Sequence, residues 1–296
     1  TDAKSECFCK HCTDCHGIHN NRNNHTYLSG GKLALFLFDC RIDKYDTDKH
    51  GNSENFVPLK KAFVRVCLRD CSLESYYVEI MYLYGKDIAK YDPKNKLYIK
   101  DIFDLIPSEL NAKNKRFILK ALNEKAKFER YRNSFLWLAD AGVALPTYNI
   151  EEPRLPLKLG EQRNLFKLFM SDVGLLASQY AANIAIDLLT GTTEINYGAI
   201  YENFAAQELR AHGYNLYYFN NKKQGELDFV IEDRGKVLPI EIKSGKDYKR
   251  HNALSNVMNN EEYAIHRAIV FSNGNVQVVG KILYYPIYML MYLQPE

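Results

Sequence analysis

Gly225-Glu226-Leu227-Asp228-Phe229-Val230-Ile231, resumed as Leu238-Pro239-Ile240-Glu241-Ile242-Lys243-Ser244-Gly245, is the stretch that decides the fold. Both halves alternate with period two, as strands do, and Asp233-Arg234-Gly235-Lys236 between them supplies a tight turn. Alternate side chains of a strand share a face, so Ile240 and Ile242 enter a core while Glu241 and Lys243 emerge together on the other side. If Glu232 faces Val237, the antiparallel register sets Asp228 across from Glu241 and Glu226 across from Lys243. Directly opposed residues have Cβ atoms roughly 4.5–5.5 Å apart, and like charges there destabilise a sheet unless something compensates them. A divalent cation does so: Mg²⁺ takes one or two carboxylates plus water and phosphate oxygens, and the Ile242 carbonyl offers a further ligand. Lys243 then stands where it can orient or deprotonate a water, or stabilise charge developing on a phosphate. An amphipathic hairpin with a solvated charged face and a Glu226–Lys243 pair explains the same pattern without a site.

Outward from the hairpin, Leu216–Phe219 and Ala268–Ser272 read as further strands, Phe166–Leu189 as a helical pattern, and Tyr197–His212 as a helix closed by Gly213. Helices beside a mixed sheet make an α/β domain over residues 153–296, entered through a linker marked by Pro153 and Pro156. Before the linker, residues 59–152 give a helical region. Leu97–Leu105 reads as a helix, Ile106-Pro107-Ser108 as a break with Ser108 an N-cap, and Ala121–Ala141 as a helix ended by Gly142. Val143–Ile150 follows as an extended segment, completing a winged-helix-like outline. Residues 1–58 form a polar, Cys-rich arm and remnant without apolar periodicity.

Composition narrows the function classes. The chain has 296 residues, 46% of them hydrophobic, which excludes a disordered chain or a small disulfide scaffold. Lysine and arginine number 39 against 36 acids, a net charge of +3, so nucleic-acid binding must rest on local clusters. One such cluster runs from Asn111 to Arg132, with eight cations against two acids. Lys113, Lys115, Arg116, Lys120, Lys127 and Arg130 are its candidate nucleic-acid contacts, and a solvated helix face or a surface for an ATPase module accounts for them equally well. Phe117, Phe128, Tyr131, Phe135 and Trp137 read as core rather than as base-stacking residues. The apolar stretch Ile282–Leu293 contains Pro286 and is about half the roughly 20 residues of a membrane span, so no transmembrane helix and no membrane partner is expected. Seven cysteines and no basic-then-apolar leader argue for the reducing cytoplasm. Cys7, Cys9, Cys12 and Cys15, near His11, His16 and His19, have the ligand types of a zinc site, but all four thiols fall within nine residues, where structural zinc sites separate two pairs by a loop.

The string Asp228 then Glu241-Ile242-Lys243, preceded by the helical Glu202 in Tyr201-Glu202-Asn203-Phe204, resembles the PD-(D/E)xK nuclease-like superfamily. Together with Phe166-Lys167-Leu168-Phe169, Asp172-Val173-Gly174-Leu175-Leu176 and Ser244-Gly245, it looks like the C-terminal domain that follows the ATPase module in a group of prokaryotic AAA-type ATP-binding proteins. The resemblance runs from about Ile80 to Leu293. It implies a restriction-endonuclease-like mixed sheet flanked by helices, with Asp228 and Glu241 as Mg²⁺-binding acids, Lys243 as catalytic lysine and Glu202 as the helical acid. It implies a Mg²⁺-dependent phosphodiesterase acting on nucleic acid. A non-catalytic interaction or regulatory module that partners an ATPase domain, or its own copy, is the alternative. Gln207 and Glu208 are expected on the helix surface. The nearest string to a P-loop, Thr26–Leu33, holds Gly31-Lys32 but begins with threonine and ends in leucine, so no ATP site is expected in this chain. Beginning at Thr1, the chain looks like the C-terminal half of such a protein.

Overall fold

A computed structural model describes residues 95–122, 128–180 and 197–295. The Cys-rich arm with its zinc-type side chains, the Thr26–Leu33 string, the stretch before residue 95, and Lys127 lie outside them.

The chain enters through α1 (Lys96–Asn111) and α2 (Phe128–Asp140), then β1 (Ala144–Ile150) and β2 (Glu161–Met170). The short helix α3 (Val173–Ser178) and the long α4 (Tyr197–Ala211) lead to β3 (Tyr217–Asn221), β4 (Gly225–Asp233) and β5 (Lys236–Ile242). Helix α5 (Asn252–Met258), β6 (Ala268–Ser272), β7 (Gln277–Val279) and β8 (Ile282–Pro286) complete it. All eight strands form one mixed sheet in the order β2-β1-β3-β4-β5-β6-β8-β7, with β1/β3, β5/β6 and β6/β8 parallel. The architecture is the α/β arrangement expected, helices flanking a mixed sheet.

The sheet separates two apolar layers. On one face Phe229, Ile231, Ile240 and Ile242 pack with Ile102, Ile106 and Leu138 of α1 and α2 and with Ala205 and Leu209 of α4. On the other, Leu227, Val230, Val237 and Val270 pack with Leu254 and Val257 of α5. Phe117, Phe128, Phe135 and Phe166 meet at ring-centroid distances of 4.9–6.1 Å, so the aromatics of the helical region are core.

Three local readings change. Residues 161–170 are a strand, where Phe166–Leu189 reads as helical from the sequence. The run Phe166–Met170 is buried on both faces of the sheet, and a continuous apolar run of that kind carries no period to tell strand from helix. Helix α1 continues through Pro107, because Ile106 and Leu110 on either side are fully buried and their packing outweighs the lost amide. Ser108 caps nothing; its hydroxyl donates back to the Leu105 carbonyl at 2.8 Å. Finally, β1 lies between β2 and β3, so the expected boundary at residues 152 and 153 falls within a single sheet.

Candidate active site

The hairpin takes the register read from its sequence. Glu232 faces Val237, and the ladder runs down to Phe229 opposite Ile240. Arg234 and Gly235 both adopt positive φ, 51° and 67°, the two-residue turn that matches strand twist. Pairing then stops, and the next β5 amide, Ile242 N–H, donates to the Asp228 carboxylate at 2.8 Å instead of to a backbone carbonyl. On its other side β4 carries a bulge: Tyr217 faces Val230 and Phe219 faces Leu227, which leaves Asp228 and Phe229 together opposite Tyr218. A bulge re-aims the side chain it carries. Here it turns Asp228 out of strict alternation toward the gap opened between β4 and β5.

Glu241 is 2% exposed, so the solvated charged face is not what the hairpin presents. Burial and the neighbouring Asp228 charge push Glu241 well above the usual carboxylate range. Burial also raises Asp228, but Lys167, Lys243, Lys115 and the hydrogen bond from Glu241 outweigh it and hold it below its ordinary value. Of the two, burial and repulsion favour the proton on Glu241, while the surrounding lysines favour Asp228 as the charged member. Lys243 Nζ lies 3.0 Å from Glu241 Oε2. Burial lowers Lys243, yet Glu241 and Asp228 more than reverse it, so the amine stays charged.

Behind this pair lies a second tier of charge. Glu202 on α4, 3% exposed, is ion-paired with Lys115 and stands 3.7 Å from Lys167 Nζ through an Oε2 that is buried without a hydrogen-bond partner. Lys115 is held at φ 48°, a left-handed conformation costing a non-glycine residue about 1 kcal/mol, in the segment that brings its amine to Glu202. Lys167, fully buried on β2, is 2.7 Å from Glu226 Oε1 and 5.1 Å from the centre of the Tyr218 ring. Burial lowers it, but Glu202, Glu226 and Asp228 drive it above its ordinary value, so it remains a cation. Glu226 bonds Lys167 and Asn220 and does not form the expected pair with Lys243.

Glu202, Asp228, Glu241 and Lys243 thus converge. Of the candidate nucleic-acid contacts, Lys115 is turned into the cluster, Arg130 hydrogen-bonds and overlies Tyr98, and Lys113 and Lys120 are exposed. The surface role given to Gln207 and Glu208 is overturned, since both are buried and Gln207 Oε1 accepts from Val173 N–H at 2.8 Å. Lys167 was not among the expected site residues. Its signal was available, a lysine inside the apolar run Leu165–Met170, where no solvated charge belongs.

Among the described residues no three His, Cys, Asp or Glu side chains are grouped so as to hold a metal ion by themselves. A pair of neighbouring carboxylates is a different donor set. It suits Mg²⁺, which takes one or two carboxylates and keeps its waters, and it lacks the four protein ligands of a structural zinc. No helix among the described residues is long and apolar enough to cross a membrane.

Residues 197–290 match a family model described as Domain of unknown function (DUF4143), a domain known in AAA-ATPase-associated proteins. Residues 68–185 match a second model, described as Domain of unknown function (DUF8612). Glu202, Glu226, Asp228, Glu241 and Lys243 fall in the first match, Lys115 and Lys167 in the second, so the charged cluster is built from both. No curated protein and no solved structure matches the chain.

Proposed function

We propose that this chain is the nuclease-like module of an ATPase-associated cytoplasmic protein, hydrolysing phosphodiester bonds of nucleic acid with Mg²⁺ at Asp228, Glu241 and Lys243. What supports it is the placing of two interacting carboxylates, Asp228 and Glu241, beside a lysine amine 3.0 Å from Glu241, where pairing of β4 with β5 ends. Asp228 and Glu241 would hold Mg²⁺, which when bound polarises a phosphoryl oxygen and neutralises developing charge. Glu241 would hold the ion in its ionised form, any proton it carries passing to solvent water, while Lys243 would keep its own. Because its neighbours keep Lys243 in the ammonium form, it has no lone pair with which to take a proton from water, so its part is to orient the attacking water and to stabilise charge on the phosphate. Glu202, tied to Lys115 and Lys167, is a positioning residue that fixes the cations next to Asp228.

One observation favours a second reading, a non-catalytic module that docks on an ATPase domain. Each acid of the cluster already has a cationic or hydrogen-bonding partner within the chain: Lys243 for Glu241, Glu241 for Asp228, Lys115 and Lys167 for Glu202, and Lys167 for Glu226. Incubating the purified chain with labelled DNA and RNA, with Mg²⁺, Mn²⁺ or EDTA, separates the two. The nuclease reading expects metal-dependent cleavage that Asp228→Asn, Glu241→Gln and Lys243→Met each reduce by a factor of at least ~10². Failure to cleave any of these substrates with either metal overturns it in favour of the docking module.

A further inference from the structure

Strand β5 leaves the sheet through a loop, Ser244-Gly245-Lys246-Asp247-Tyr248-Lys249-Arg250-His251, that begins one residue after Lys243. From Lys243 to His251 there are four lysines and arginines against one acid, a net +3 in nine residues, as large as the formal charge of the entire chain. Lys246, Lys249 and Arg250 are exposed. Neither Lys246 nor Arg250 makes an ion pair among the described residues, and Lys249 does no more than approach the Tyr248 ring at 6.0 Å.

Solvated charges on a floppy loop would be unremarkable, but this loop is pinned along its length. The Asn273 side-chain amide donates to the Ser244 carbonyl at 3.1 Å, and Asn273 is itself held by Tyr201 of α4 at 2.7 Å. Arg250 N–H closes a turn on the Asp247 carbonyl at 3.0 Å. Tyr248 lies against Gly274, where a Cβ would stand 2.8 Å from its ring, and meets Tyr284 edge-on at 6.0 Å. His251 Nε2 lies 2.6 Å from the Tyr284 hydroxyl. The exposed cations therefore start from a fixed backbone, so binding has to order their side chains but not the loop that carries them.

We propose that the Ser244–His251 loop is a preorganised phosphate-binding rim that seats the nucleic-acid backbone and leads it to Lys243. The inference rests on the nuclease reading and adds where the substrate lies. Three residues of chain reach at most about 11 Å, so Lys243 and Lys246 are spaced to meet phosphates within about three nucleotides on one strand. The residues that the sequence offered for this task, between Asn111 and Arg132, are divided among the charged cluster, Tyr98 and open surface. The loop cations instead share one short segment at the site.

The test is binding of a short fluorescein-labelled DNA, single-stranded and duplex, to the full chain in EDTA over a range of NaCl concentrations. The variant Lys246→Ala/Lys249→Ala/Arg250→Ala removes only exposed side chains, and unchanged circular dichroism confirms its fold. Its slope of log K against log salt is expected to fall by about 2–3, a loss of affinity on the order of a hundredfold near 0.1 M salt. The control Lys113→Ala/Lys120→Ala/Arg132→Ala should keep the parent slope. Parent-like binding by the loop variant, or an equal loss in the control, overturns the rim while leaving the nuclease reading standing. A parent chain that cleaves but shows no salt-dependent binding also removes the rim alone, whereas a parent that neither binds nor cleaves removes both. Asp228→Asn that still binds but no longer cleaves supports both.

Discussion

Glu208 points from α4 into the protein, 7% exposed, and burial pushes its carboxyl up to about 7 from an ordinary 4.5. The folded state therefore keeps this proton across a window in which the unfolded chain has released it. Where the folded state binds more protons, stability falls as pH rises, so Glu208 costs up to about 3 kcal/mol progressively between pH 4.5 and about 7 and no more above that. Glu208→Gln removes this dependence. The variant should match the parent at pH 4.5 and exceed it by about 3 kcal/mol at pH 8 in urea unfolding. A stability difference that is flat over that range would mean that Glu208 is ionised in the folded protein. At this scale the sequence was legible in part. Asp228, Glu241 and Lys243 announce themselves by charge at strand spacing, whereas Glu208 reads as an ordinary exposed helix residue, since nothing local says which helix face the sheet will cover.

Among the elements, β4 determines the site, and its geometry begins at Gly225. This residue has φ 98°, and a Cβ on it would stand 2.8 Å from the Cβ of Ala253 in α5. Gly225→Ala should thus strain the backbone and push α5 from the sheet, destabilising the protein by about 3 kcal/mol in denaturant unfolding. Gly142→Ala is the control: its φ is 68° with nothing within 4 Å of a Cβ, and it should cost about 1 kcal/mol. Equal costs would show that the contact with α5 is immaterial and that only φ matters. The β4–β5 register followed from a two-residue turn and alternating apolar residues, both local. The bulge at Asp228 and Phe229 did not, because it is imposed by β3, whose Tyr217 and Phe219 seat Val230 and Leu227 on the far face.

For the molecule as a whole, the sheet order has a consequence for division of the chain. Because β1 separates β2 from β3, a fragment starting at residue 153 would keep β2 but lose its neighbour, and β2 would carry Lys167 into solvent with no strand beside it. The fragment 153–296 should therefore lack cooperative thermal unfolding and dispersed amide signals, while a fragment retaining α1, α2 and β1 should show both. A well-folded 153–296 fragment would mean that the expected boundary is a domain boundary after all. The sequence by itself determined the strands of the central hairpin, their register and the helical Glu202, because each follows from spacing along a few residues. Only the tertiary structure decided that β1 and β2 join the hairpin in one sheet, that Lys115 and Lys167 reach Glu202 and Glu226, and that Asp228 leaves strict alternation. The physical reason is range. A buried cation persists only where acids from other strands and helices surround it, and those acids lie 35 to 87 positions away, beyond anything that periodicity records.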